Sequence, residues 1–432
     1  MQATMRLLGQ RRFLPLFATQ FLNAFNDNLF KTAMVMLVIY RIFQDPAREA
    51  QFSAIAGGLF ILPFFLFSAL AGQLADARDK TVIIRAVKTA EIGIMLVGAA
   101  GLLLHNVPLL LLALFAMGVH SAFFGPIKYA ILPQHLRDDE VLAGTGLVEA
   151  GTYGGILAGT IIGGLLGVTS PGAAAAAVLG FALIGRVTAA YVPPAPPECD
   201  SQGLAVDWNV VRASVSLVRR TLHIPKLFRA IMAISFFWSI GAVLAAQFPP
   251  LVKNELHSDQ QVATLFLGIF SVGVAVGSVV INRLLKGEVS ARWSPASALV
   301  MGAFVLDLYL TVSRWTDPST SLHDLSGFMA QPLAHRVLID LFGVAVAGGM
   351  FVVPLYAFLT TTAPKAETAR TVAANNIVNS GAMVASTVIL AGLVMAGVSV
   401  EGTLLMVAAG CIVAAWIAWK LHQACRPAVR PA

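Results

Sequence analysis

The chemistry open to this chain rests on a few ionisable and amide side chains that interrupt long apolar runs. Asn23, Asn26, Asp27, Asn28 and Lys31 sit in the middle of one such run. Asp27 and Lys31 are four residues apart, hence on one helical face, where they can pair at rest or offer both charges to a ligand. Lys88 and Glu91 repeat the combination at a spacing of three and read as a structural pair, with the lysine snorkelling toward water. Glu149 has no basic neighbour in sequence and needs a partner from another helix, Lys31 or Lys128. Lys128 lies close to a predicted helix end, so snorkelling and ligand binding both remain open. Asp307 stands alone in its apolar run, which leaves a neutral, a water-facing and a proton-carrying role open. Asn375, Asn376, Asn379 and Ser380 form a second polar cluster, placed to line a cavity or to join helices.

No catalytic residue emerges. His335 and Asp340 have the H-x4-D spacing of glycerolipid acyltransferases, but two fixed positions arise easily by chance and the rest of such a domain is missing. The sequence has no Gly-Lys-Ser/Thr phosphate loop, so ATP is not the expected energy source. Cys199, Cys411 and Cys425 are odd in number and have no metal-like spacing, so neither a metal nor another cofactor is expected.

The elements that position these residues follow from composition. Of 432 residues, 57% are apolar and 12% are charged, against about 25% charged in a soluble domain. A bilayer is therefore the expected solvent, and the net charge of +7 is explained by topology without nucleic acid. Apolar runs long enough to cross about 30 Å of hydrocarbon are predicted at 13–40, 53–75, 81–104, 107–132, 141–168 and 171–192. Six more follow at 227–251, 262–285, 294–313, 334–362, 371–398 and 402–421. The first run carries polar residues and lacks a cleavage site, so it reads as a span rather than a removable leader. Residues 1–192 and 227–432 thus form two six-helix halves joined by a linker, 193–226. The linker opens with Pro193, Pro194, Pro196 and Pro197. It then places Trp208, Val211, Val215, Val218 and Leu222 at near-helical spacing among arginines, which suits either a membrane-surface helix or a solvated one. With the N-terminus inside, twenty Lys and Arg fall in inner segments and five in outer ones, placing both termini in the cytoplasm. The glycine series of the fifth run, Gly151, Gly154, Gly155, Gly159, Gly163 and Gly164, predicts close helix packing.

Two six-helix halves with a long inner linker resemble the major facilitator superfamily, an all-α membrane fold of twelve transmembrane helices in two pseudo-symmetric bundles. Gly72-Gln73-Leu74-Ala75-Asp76, followed by Lys80, resembles that superfamily's G-x-x-x-D loop, with Ala77 and Asp79 departing from it. The resemblance implies gating roles for Asp76 and Lys80. Further segments narrow it: Gln20-Phe21-Leu22-Asn23-Ala24-Phe25-Asn26-Asp27-Asn28-Leu29-Phe30-Lys31, Gly125-Pro126-Ile127-Lys128-Tyr129, Gly146-Leu147-Val148-Glu149-Ala150 and Phe351-Val352-Val353-Pro354-Leu355. Together they resemble the bacterial lysophospholipid transporter family. The resemblance implies alternating access at a central site and inward movement of lysophosphatidylethanolamine or lysophosphatidylglycerol across the bacterial inner membrane. It also implies reacylation by a separate cytoplasmic acyltransferase, and a monomer is expected. Substrate contacts are expected from Asp27, Asn28, Lys31, Lys128, Glu149, Asn376 and Asn379, and a possible proton link from Asp307. The alternatives are a proton-coupled drug or metabolite antiporter of the same superfamily and a membrane acyltransferase.

Overall fold

The computed structural model describes residues 6–42, 46–197, 206–316, 322–364 and 367–425. Cys199, named above, lies outside them. Long helices run at Leu14–Leu37 (α1), Pro46–Ala77 (α2), Lys80–Leu104 (α3), Val107–Ala130 (α4), Asp138–Thr169 (α5) and Pro171–Ala190 (α6). They continue with Pro225–Pro250 (α7), Gln260–Leu285 (α8), Ser294–Val312 (α9), Ala334–Thr362 (α10), Thr368–Met395 (α11) and Thr403–Cys425 (α12). A separate linker helix occupies Val210–Leu222. Among the described residues, eleven helices are long and apolar enough to cross a membrane. The remaining long helix, α1, has the length, but its Asn- and Asp-rich middle lowers its hydropathy, a first sign that it serves more than packing.

Helix starts follow local capping chemistry. Asp79 accepts from the Thr81 amide to open α3, and Asn106 accepts from Leu109 to open α4. Prolines stand in the first turns of α1, α4, α6 and α7, where a missing N–H costs nothing. The first helix of each half ends in a π-helical turn, Val38–Ile42 after α1 and Leu251–Glu255 after α7.

Two compact units emerge. One contains Met1–Thr221 with Thr360–Ile377, the other Leu222–Leu359 with Val378–Ala432. In the first unit, α5 approaches α1 through glycines four residues apart. A Cβ at Gly155, Gly159, Gly163 or Gly167 would lie 2.8, 2.2, 2.5 or 2.5 Å from the carbonyl oxygen of Phe21, Phe25, Leu29 or Ala33. Gly154 and Gly164 meet nothing nearer than 3.7 Å, so only part of the glycine series makes the contact. In the second unit, Gly277 and Gly349 serve similarly, their Cβ positions 2.0 Å from the Val346 oxygen and 2.4 Å from the Val274 oxygen. That unit's core is apolar, with Phe248, Phe266 and Phe328 in edge-to-face contact.

Candidate functional site

With one side of α1 held against α5, the polar residues of its middle reach toward α3 and α4. Asn23 forms a bridge there. Its Nδ2 donates to Asp27 Oδ2 at 3.0 Å, while its Oδ1 accepts from Lys88 Nζ at 2.9 Å. Lys88 Nζ lies 2.5 Å from Glu91 Oε2, and Glu91 Oε1 accepts from Asn26 Nδ2 at 2.8 Å. From α4, Ser121 donates to Asp27 Oδ2 at 2.6 Å, and His120 Nε2 stands 3.5 Å from Glu91 Oε2. These groups are sealed from water, with Lys88 0%, Glu91 1%, His120 4% and Asp27 7% exposed. Two carboxyl groups, one ammonium and one imidazole thus meet in a single buried network. Asp27 Oδ1 and Asn26 Oδ1 have no hydrogen-bond partner, and a buried polar atom in that state is ready for an incoming donor.

A second group gathers on α5. Tyr129 donates to Glu149 Oε1, and Glu149 Oε2 is buried without a partner. One turn along, Thr152 Oγ1 lies 3.0 Å from Gln20 Oε1 and accepts from Lys128 Nζ at 3.5 Å. Lys128 Nζ sits 4.9 Å from the Tyr129 ring centroid, and Lys31 Nζ sits 5.5 Å from that of Phe60. Aromatic faces stabilise both ammonium groups without neutralising them. The first unit therefore holds two acidic and two basic side chains with open valence, which is what a ligand carrying both a cation and an anion requires.

Several expectations are corrected by this geometry. Asp27 and Lys31 share a helical face but make no ion pair, because Asn23 and Ser121 take the carboxylate and Phe60 takes the ammonium. Lys88 does not snorkel; its head group lies inside the network. Glu149 accepts from the phenol of Tyr129 and makes no direct ion pair with Lys31 or Lys128, although Lys128 is near enough to act on its charge. Asp307 is not isolated: Arg336 of α10 donates Nε to its Oδ2 at 2.9 Å and Nη2 to its Oδ1. Asn28 donates to the Ala24 carbonyl of its own helix at 2.8 Å. Asn376 lies over Gly125, where a Cβ would come within 3.2 Å of its Nδ2. Asn379, in the second unit, accepts from Ser235 at 2.7 Å. The sequence reading missed His120, Ser121, Tyr129, Gln20 and Thr152. The signal for the first two was an adjacent polar pair inside the apolar fourth run.

The C-terminal end of α2 is equally specific. Asp76 Oδ1 accepts from the Ala369 amide at 2.9 Å, and Oδ2 accepts from the Arg370 amide at 3.0 Å, which caps the first turn of α11. Gly72 allows that approach, since its Cβ would lie 2.7 Å from Ala373 Cβ and 3.0 Å from the Ala369 oxygen. Lys80 is buried beside it, and its amide donates to the Ala195 carbonyl at 3.0 Å. Elsewhere, His335 is exposed while Asp340 is 2% exposed. They point to different sides of α10, so the H-x4-D spacing assembles no catalytic pair.

The Major Facilitator Superfamily model matches residues 16–386, and the chain belongs to that superfamily. It is a multi-pass membrane transporter, with the family and fold of transporters rather than of enzymes. It is 29% identical over 420 residues to the lysophospholipid transporter LplT of Escherichia coli O9:H4 (strain HS), covering 93% of this chain and 94% of that protein. Among solved structures it is similar to the human organic anion transporter MFSD10, with a TM-score of 0.72, 11% identity and coverage of 96% and 98%. It is also similar to a bacterial homologue of the iron transporter ferroportin in its outward-facing state, with a TM-score of 0.70, 14% identity and coverage of 96% and 100%.

Proposed function

We propose that this chain moves lysophospholipids such as lysophosphatidylethanolamine or lysophosphatidylglycerol from the outer to the inner leaflet of the bacterial inner membrane. The observation that carries the reading is the pairing of open acidic and basic side chains within one unit. Asp27 and Glu149 meet a headgroup ammonium or hydroxyl, and Lys31 and Lys128 meet its phosphate. Asn28 and Asn376 supply amides to the headgroup, and the acyl chain stays along apolar helix faces. The name of the relative that is 29% identical over nearly the full length supports the same substrate class. Residues 1–192 and 227–432 act as the moving halves of an alternating-access cycle and 193–226 as their cytoplasmic linker, with both termini cytoplasmic and the chain monomeric. Asp76, with Lys80 beside it, acts as the latch, because its cap on α11 forms or breaks as a unit. A separate cytoplasmic acyltransferase consumes the delivered lipid.

A proton-driven exchanger is the second reading, favoured by His120 sealed beside Glu91. Movement of lysophosphatidylethanolamine between leaflets of proteoliposomes tests both. Flux above protein-free vesicles without a pH gradient is expected. Flux only with a gradient would favour the exchanger, and no flux under either condition would overturn the lipid assignment.

A further inference from the structure

The linker helix has a face that the protein does not cover. Its side chains fall into three sectors. Ala213, Ser214, Leu217 and Thr221 are buried, with Ala213 and Leu217 packed on Ala69 of α2 and on Ala373, Ala374 and Ile377 of α11. Val211 and Val215 form a separate apolar stripe, turned by about 120° from the buried sector at the helical rotation per residue. Trp208, just before the helix, extends that stripe. The three are 70% (Trp208), 68% (Val211) and 64% (Val215) exposed. Arg212 and Arg219, also exposed, flank the stripe on its other side. An amphipathic helix that is already seated by one face has no folding reason to carry a second apolar stripe.

Chain connectivity and charge indicate what covers it. The helix ends at Leu222 and α7 begins at Pro225, a tether of about 10 Å at most. The stripe is thus held near the level at which a span enters the bilayer. Between Val206 and Arg229 the sequence carries Arg212, Arg219, Arg220, Lys226 and Arg229 against Asp207 alone. Arg212 is paired with Asp207 at 2.8 Å, but that pair is exposed and readily exchanged for another anion. A tryptophan and two valines edged by arginines match the headgroup layer of an anionic membrane, where the indole sits at the interface and the guanidiniums meet phosphates.

We propose that the stripe Trp208, Val211 and Val215 docks on the bilayer surface on the linker's side, with Arg212 and Arg219 recognising anionic phospholipid headgroups. The docked face is distinct from the one that seats the helix on α2 and α11. Arg220 belongs to neither, since it pairs with Glu367 at 2.6 Å. The membrane thereby becomes a second support for the segment that packs on the start of α11.

The test uses the full chain with its three cysteines replaced and a polarity-sensitive dye on Val211→Cys, Val215→Cys or Ser216→Cys. Each protein is reconstituted in phosphatidylcholine vesicles, with or without roughly one-third phosphatidylglycerol. Dyes at 211 and 215 are expected to be quenched by shallow nitroxide lipids and protected from aqueous iodide in the anionic vesicles, while the dye at 216 stays accessible. Arg212→Gln and Arg219→Gln should each lower that protection by about fivefold without changing the signal at 216. Equal iodide access at 211, 215 and 216 in anionic vesicles would overturn the proposal. So would protection that is identical in both lipid compositions, or a 211–211 disulfide between copies, which would assign the face to a second chain.

Discussion

In the first unit, Asp27, Lys88, Glu91 and Glu149 are buried between helices. In the second, the ion pair of Asp307 with Arg336 keeps 35% and 45% of its side chains exposed; one buried acid, Asp340, lies beside it at 2% exposure, and the core beneath is apolar and aromatic. Both units pack helices by the same device, glycines set against a neighbouring backbone. The contrast therefore lies in chemistry rather than in construction. Burying an ion costs several kcal/mol unless its partners are complete; Asp27 Oδ1 and Glu149 Oε2, buried between helices of the first unit, lack them, which supports the proposal that the ligand chemistry lies there.

The contrast can be broken most forcefully at Lys88. Lys88→Met leaves Glu91 buried with a reduced set of partners and should lower stability by about 3–5 kcal/mol, whereas Asp307→Asn, at an exposed pair, should cost about 1 kcal/mol or less. Thermal melting in detergent compares them, and equal losses would erase the distinction between the units. Adding Glu91→Leu to Lys88→Met should recover much of the loss, because the carboxylate that lost its ammonium partner is then removed. Gly159→Ala should cost about 1–3 kcal/mol through overpacking against the Phe25 carbonyl, and Gly277→Ala should cost a similar amount, since this device is common to both units. Gly154→Ala, with its nearest neighbour at 3.7 Å, should be near neutral. Tyr129→Phe removes the donor from Glu149 and should cost about 1–3 kcal/mol; an unchanged melting temperature would show that another group satisfies the acid. Asp76→Ala, losing a helix cap, should cost about 1 kcal/mol and raise the cysteine reactivity of an Ala369→Cys probe.

Much of the architecture was legible in the sequence because apolar length and proline or glycine breaks report directly on spans. Predicted and observed bounds agree at both ends for 107–132 and 294–313 to within two residues. They diverge where a helix outruns its apolar part, as α2 does by starting at Pro46 rather than 53. The polar residues were visible as anomalies, but their partners were not. Spacing on one helix suggested Asp27 with Lys31, yet Ser121, 94 residues further along the chain, takes the carboxylate. A single sequence carries no record of which helices are neighbours, so interhelical pairs such as Asn26 with Glu91 and Tyr129 with Glu149 had to come from the fold. Asp307 was misread for the same reason, since Arg336 is on a different span.

Flux of lysophosphatidylethanolamine in proteoliposomes, compared among wild type, Asp27→Ala, Glu149→Ala and Asp307→Ala, tests the central claim most directly. Loss of flux in the first two, with Asp307→Ala close to wild type and all four proteins equally folded, is the predicted result. Wild-type flux from Asp27→Ala and Glu149→Ala would contradict the assignment of the headgroup to the first unit.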